Sequence, residues 1–414
     1  MWFSNFHDTR EAFFVMFVYL FFKAFGLATV KFNFESIKKT LIAGKEASEV
    51  LKPSRVGIAY NMLLIIILSI LNYVAIRVSY ERPDFTDRSE LEMKIDTVKA
   101  VTACFSSFII LLIFSFQQEK YVLTVHEVLS IRQSLISINS AIYFENESIW
   151  KIITKLLIFM FVNWILLFIT IEIQNDYQFL LYFVTTNLCD MIMTHTVLQF
   201  SIALKMIEQL FRVTNANFDH DSKASFRLND EICLNVALKK VQVILNKLSR
   251  LQDLHLSLCN VFEDLAGFYA QSMLLCVWYI FVSMILSAFY VTKPIITGNT
   301  GLSVVMYLRT VIHFLHHTSL LIMLTKCVTD LIAEREKTGK IISVWLAKID
   351  NQQFEKKLTK FSIYLMHQKV KFSVFGIFSL DNSILLSIIG TITTYLIILQ
   401  QENLSSNSNN SNCH

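Results

Sequence analysis

Several side chains with chemistry to offer sit in stretches that are otherwise apolar. Asp190 and His195 lie in one such stretch, and Arg309, His313, His316 and His317 lie in another. Ionisable groups placed in this way are expensive to keep and mark a task or a partner. The three neighbouring histidines share one helix at a spacing that suits a metal, but no acid or cysteine accompanies them in sequence, so no metal is expected there. Counted from the outer end of each helix at 1.5 Å per residue, Arg309 and Asp190 lie about 12 and about 18 Å deep. That is close enough to pair if their helices adjoin, either as a structural ion pair or as the polar floor of a ligand pocket. Trp164, Trp278, Tyr279 and Tyr307 are candidates to line the walls of such a pocket together with His195 and His313; the alternative is that the aromatics are ordinary core. Neither HExxH nor GxSxG occurs and no CxxC pair is present, so the residues offer no catalytic constellation and no cofactor is called for.

These residues need elements to hold them. Of the 414 residues 54% are hydrophobic, 35 are Phe and 17% are charged, against roughly 25% charged in a soluble domain. The apolar residues gather in blocks about as long as the ~20 residues of a bilayer crossing. They predict an all-α polytopic membrane protein with seven spans, near 56–78, 97–116, 150–171, 179–204, 268–291, 302–327 and 380–400. Pro53, Pro83 and Pro294 all fall outside these spans, so each helix can run without a proline kink. The seven cysteines lie mostly in apolar or basic segments, which is not the layout of a disulfide framework.

A net charge of +4 implies neither a nucleic-acid nor an acidic partner, and no nucleic acid is expected; the distribution of Lys and Arg sets the orientation. Basic residues concentrate in the first 55 residues, in 205–260 and in 330–372, while the segments 79–96, 172–178, 292–301 and the tail are poor in them. The N-terminus is therefore expected in the cytosol and the C-terminus outside, the reverse of a G-protein-coupled receptor; the membrane prolines and the DRY and NPxxY signatures of that class are missing too. The chain divides into a cytosolic N-terminal segment (1–55), spans one to four (56–204), a cytosolic helical anchor segment (205–267), spans five and six (268–329), a cytosolic anchor helix (330–379), a last helix (380–401) and an extracellular tail (402–414). The aromatic run 11–30 follows Asp8, Arg10 and Glu11 and contains Lys23, which suits an interfacial or re-entrant helix better than a signal peptide.

Between residues 231 and 291 there is no proline and one glycine, Gly267, so the fifth span is expected to continue inward as one long helix. Val241, Ile244, Leu248, Leu251, His255, Leu258, Phe262 and Leu265 alternate at spacings of three and four along it, a coiled-coil-like seam that packs either within its own subunit or against another. Phe354, Leu358, Phe361 and Leu365 make a second amphipathic stretch. In the last span Ser383, Ser387, Thr391, Thr394 and Gln401 form a polar stripe along one side. Polar groups facing hydrocarbon are costly unless bonded or hydrated, so the stripe either bonds back to its own helix and packs on a neighbour, or faces water inside a ring of several subunits. In the second case Ile398 is an apolar gate, and Gln401 with Glu402 lines an outer mouth favouring cations.

The run from Gly390 to Gln401 resembles the TYxxxxxQF signature that closes insect gustatory receptors, with Thr394, Tyr395 and Gln401 on its fixed positions. The preceding residues 378–389 are similar to that family's lead-in to its last helix. The resemblance implies a homotetrameric or heterotetrameric cation channel in the plasma membrane of chemosensory neurons. The last helix of each subunit lines a central pore, the upper halves of the first six spans hold a cup for a small-molecule tastant, and the cytosolic helices form an intersubunit anchor. A bitter compound is the broader expectation and a sugar the runner-up; a related olfactory-type receptor for volatile ligands is the alternative. Two residues depart from the pattern, Gln400 at a usually aliphatic position and Glu402 in place of the final Phe. They put gate hydrophobicity and ion selectivity in question.

The orientation has a direct test in the sequons Asn403-Leu-Ser and Asn409-Asn-Ser of the tail and Asn146-Glu-Ser of an expected cytosolic connection. Enzymatic deglycosylation should shift the electrophoretic mobility of the wild-type protein and of Asn146→Gln. It should leave a double Asn403→Gln, Asn409→Gln variant unmoved; a shift carried by Asn146 would reverse the assignment.

Overall fold

The computed structural model describes residues 16–33, 50–80, 90–139, separate positions between 154 and 169, 177–228, 234–297, 304–349, 351–368, 373–374, 378–380 and 382–411. Its helices are α1 (Arg55–Tyr80), α2 (Glu90–Phe116), α3 (Gln118–Ile138), α4 (Tyr177–Leu228), α5 (Leu234–Thr297), α6 (Val304–Lys348), α7 (Gln352–His367) and α8 (Asn382–Ser411). Residues 16–24 are also helical, as are the described positions between 154 and 169. Two minimal antiparallel ribbons complete the fold, β1 (Lys31–Phe32) with β2 (Leu51–Lys52) and β3 (Ser373–Val374) with β4 (Phe378–Ser379).

Among the described residues α1, α2, α5, α6 and α8 each contain a stretch long and apolar enough to cross a membrane. The expected fourth span forms the first half of α4, and most of the expected third lies outside the described residues. With 52, 64 and 45 residues, α4, α5 and α6 measure about 78, 96 and 68 Å at 1.5 Å per residue. A hydrocarbon core of about 30 Å holds less than half of each, so these helices must project well beyond it. The fifth span does continue as one long helix, as expected, and α4 and α6 are extended beyond a span in the same way.

The projecting ends pack into one core. Leu248, Leu251, His255, Leu258 and Phe262 of the seam are buried within the single chain, where the His255 ring meets Phe211 of α4 at 5.3 Å and Phe361 of α7 at 5.6 Å. Of the two alternatives for the seam, the intrasubunit one is therefore realised. Asn351 caps α7 by accepting hydrogen bonds from the backbone N–H groups of Gln353 and Phe354, and the helix buries Phe354, Leu358 and Phe361. Trp345 of α6, fully buried, donates its indole N–H to Ser225 Oγ of α4 at 2.9 Å.

Charged residues appear where the hydrocarbon stretch of α4 ends. Lys205 Nζ lies 2.7 Å from Glu208 of its own helix and 2.7 Å from Asp330 of α6, and Arg212 reaches Glu208 at 2.6 Å. Burial pushes the Lys205 ammonium down, but its hydrogen bonds with Asp330 and Glu208 outweigh that and hold it above the usual lysine value. The group thus clamps α4 to α6 at this level.

The N-terminal run turns back on itself. The helix at 16–24 ends at Gly26, whose φ of +75° is a left-handed conformation that favours glycine. The following residues then enter the bundle, with Leu27, Ala28 and Val30 buried and Thr29 Oγ1 donating to the Phe114 carbonyl at 2.7 Å. Backbone of this segment lies so close to α1 that a Cβ on Gly57 would stand 1.9 Å from the Thr29 carbonyl oxygen, whereas one on Gly390 of α8 would meet nothing within 4 Å. Gly57→Ala should therefore destabilise the purified protein by at least about 2 kcal/mol, since a backbone carbonyl cannot rotate away as a side chain can. Gly390→Ala should be neutral or stabilising by up to about 1 kcal/mol. Thermal unfolding in detergent compares the two; equal melting temperatures would contradict the contact.

Candidate functional site

Two regions collect the candidate residues, the outer side of α8 and a buried cluster where α4, α5 and α6 meet. On α8 the packing side is apolar: Ile388 and Ile392 are buried, with Leu385, Leu396 and Leu399 packed beside them. Gln400 belongs to this side as well. It is buried and donates to Thr292 Oγ1 at 2.9 Å and the Phe289 carbonyl at 3.4 Å, both on α5. The departure at position 400 therefore bears on the packing of α8 against α5.

At 100° per residue the polar stripe points the opposite way from Ile388 and Ile392. Ser383, Ser387, Thr391, Thr394 and Gln401 are all exposed in the single chain. Tyr395 and Ile398, each half exposed, flank the stripe, and a shallow groove runs between Leu386, Gly390 and Ile398. Thr391 Oγ1 donates to the Ser387 carbonyl at 2.7 Å and Thr394 Oγ1 to the Gly390 carbonyl at 3.1 Å. The hydroxyls thus do bond back to their own helix, as one reading of the stripe required, but among the described residues no neighbouring helix covers them. The side chain of Glu402 lies outside the described residues.

The buried cluster centres on Asp190 of α4. Asn72 of α1 donates to Cys189 Sγ at 3.4 Å and Ser107 of α2 donates to the Cys189 carbonyl at 3.1 Å, which fixes α4 at this level. Asp190 faces α6, with Oδ1 3.4 Å from His317 Nε2 and Oδ2 3.8 Å from His313 Nε2. Tyr279 of α5 stands against the His317 ring at 5.7 Å. On the next turn of α4, Thr194 Oγ1 is 3.4 Å from His316 Nε2, and His195 lies flat on Phe25 at 4.1 Å between ring centroids. Trp164 closes this side, stacked towards His195 at 6.4 Å and edge-on to His316 at 5.7 Å.

Of the residues singled out in the sequence, Trp164, Asp190, His195, Tyr279 and His313 are thus brought together in one buried region. Trp278 and Tyr307 are not: Trp278 is 54% exposed on the other side of α5, and Tyr307 is exposed near the start of α6. Helical rotation is the reason, since one residue's step turns Trp278 about 100° away from its neighbour Tyr279. The carboxylate of Asp190 meets histidines where Arg309 was expected, and Arg309 sits one turn further along α6, partly buried. The acid that the histidines lacked in sequence arrives from α4. Phe21 and Phe25, which wall His195, were not singled out, because nothing local links the N-terminal run to the fourth span.

A family profile described as 7tm chemosensory receptor matches residues 16–403. Among curated proteins, the chain is 28% identical over 162 residues to putative gustatory receptor 28b of Drosophila melanogaster, covering 38% of this chain and 34% of that one. It is 47% identical over 49 residues to putative gustatory receptor 2a of the same organism, 12% of this chain and 11% of that one. The matched stretch thus spans about a third or less of either relative's length. Among solved structures, the insect olfactory receptor OR5 from Machilis hrabei superposes with a TM-score of 0.63 at 11% identity, covering 95% of this chain and 99% of that one. The same receptor in complex with eugenol also superposes with a TM-score of 0.63, at 11% identity over 96% of this chain and 99% of that one.

Proposed function

Because this chain belongs to the 7tm chemosensory receptor family, we propose that it is a gustatory receptor: a tastant-gated, nonselective cation channel in the plasma membrane of chemosensory neurons. Four copies, or copies mixed with related subunits, surround a central pore lined by α8. The observation that supports this most strongly is the direction of the polar stripe, whose residues from Ser383 to Gln401 are exposed on the side of α8 away from its buried face. Hydroxyls already bonded to their own helix carry little energetic penalty and keep an oxygen for water, so such a side suits a wet axis better than a lipid face. Ile398, half exposed beside the stripe, supplies the collar that closes by dewetting. Gln401 and a ring of Glu402 carboxylates at the outer end favour cations.

The cluster around Asp190 and His195 is the tastant pocket of this reading. Its walls are aromatic and it offers few hydroxyl partners, which suits an apolar bitter compound with one basic or hydrogen-bonding group better than a sugar. The eugenol-bound olfactory receptor provides a parallel of this kind in a protein of the same fold.

Cysteine substitution tests the pore. In cells expressing the protein, a charged thiol reagent should cut the ligand-evoked current of Thr391→Cys, Thr394→Cys and Ile398→Cys severalfold and leave Ile388→Cys and Ile392→Cys unaffected. Glu402→Gln should lower divalent permeability relative to sodium. Block at 388 and 392 with protection at 391 and 394 would overturn the assignment of α8.

A further inference from the structure

We infer that Asp190, His313 and His317 bind a divalent transition-metal ion of the zinc(II) class, held between α4 and α6. The site shares residues with the pocket proposed above but does not require the chain to conduct. One ligand atom from each residue lies within 4.8 Å of the other two. The Asp190-to-histidine separations of 3.4 and 3.8 Å lie at and a few tenths of an ångström above what a metal needs: bonds of about 2.0–2.1 Å in a tetrahedron place ligand atoms about 3.3–3.4 Å apart. His313 and His317 are four apart on one helix and present stacked rings with centroids 4.4 Å apart, and the carboxylate comes from the facing helix. Two imidazoles four residues apart with a third ligand from another element is a recurrent way to hold zinc.

Hydrogen bonding alone leaves the cluster poorly satisfied. Asp190, His313 and His317 are 2%, 7% and 1% exposed. Asp190 Oδ2, both ring nitrogens of His317 and Nδ1 of His313 have no hydrogen-bond partner among the described residues. His317 Nε2 and the carboxylate face each other at 3.4 Å without the geometry of a hydrogen bond. Unbonded polar atoms at this depth are costly, and a cation between them would take up the carboxylate and the Nε2 atom of each imidazole at once. Donor chemistry sets the class. Two nitrogens and one oxygen suit zinc(II) or copper(II), whereas calcium and magnesium prefer oxygen ligands and copper(I) prefers sulfur. Three protein ligands leave a fourth position for water or a small ligand, the mark of an exchangeable site rather than a closed structural one.

Cobalt(II) provides a test free of current measurements. Added to the purified full-length protein, it should give a saturable visible absorption band at one ion per chain, displaced by zinc(II). Asp190→Asn and, separately, His313→Gln should each weaken cobalt binding more than about 100-fold, beyond the usual effect of losing an outer-shell partner; His367→Gln, on an exposed histidine, should leave it unchanged. Zinc(II) should also raise the melting temperature of the wild-type protein, a readout that needs no variant to fold. Absence of the band and of the zinc shift in the wild type overturns the site, and so does a band that survives in both ligand variants. Either result leaves the pore assignment standing, and an electrically silent protein that binds cobalt as expected would leave the metal site standing.

Discussion

Inside hydrocarbon a polar group has to find its partner in the protein, because neither water nor lipid tails will bond it. That constraint organises the bundle. Asn61 of α1 shows it most plainly, donating to the Gly26 carbonyl at 2.9 Å, the Leu111 carbonyl at 3.2 Å and Ser115 Oγ at 3.1 Å. One amide thereby holds the returning N-terminal segment against α1 and α2. Gln199 of α4 does the same from the other side by donating to the Leu27 carbonyl at 3.2 Å. A turn of irregular backbone is tolerated at this depth because these side chains satisfy it.

Measured by the same rule, two places stand out. The hydroxyls of Ser387, Thr391 and Thr394 on the α8 stripe donate to carbonyls of their own helix, on a side exposed in the single chain. The cluster at Asp190 brings charged and titratable groups together without completing their hydrogen bonds. Elsewhere the long polar side chains at the ends of the spans are paired, as Lys205 is with Glu208 and Asp330, and Asn215 with the Glu334 carbonyl at 2.7 Å and Thr338 at 2.7 Å. Single buried polar atoms without a hydrogen-bond partner among the described residues occur elsewhere as well, Asn61 Oδ1, Gln199 Oε1 and Asn217 Oδ1 among them; the Asp190 cluster differs in gathering several at one place.

Much of this was legible in the residues, and what was not has identifiable causes. Apolar block length and the lack of proline sufficed for the long helices, and periodicity sufficed for the seam through His255 and for the amphipathic face of α7, since both signals are local. Which partner a face meets is not local. The seam's choice of its own subunit depends on Phe211 of α4 and Phe361 of α7, far away in sequence. Gln400 looked like a break in an aliphatic gate when read along α8, and only the position of Thr292 on α5 shows it as a packing residue. Likewise the histidines of α6 read as lacking an acid because Asp190 is more than a hundred residues earlier in the chain.

α5 connects the two regions physically. Tyr279 on this helix abuts His317, and about thirteen residues, or about 20 Å, further along it Thr292 bonds Gln400 on α8. A continuous helix transmits displacement with little loss over that distance, and α8 rests on it through Leu396 and Leu399, which pack in one cluster with Leu286 and Phe289. A ligand or ion that draws α4 and α6 together at Asp190 must press on Tyr279 or relieve it. The response of α8 then depends on whether its seat on α5 has two packed arrangements of similar energy. The Gln400–Thr292 hydrogen bond is well placed to set that difference: it is the polar part of an otherwise apolar seat, and an apolar seat alone gives little resistance to sliding along the helix axis.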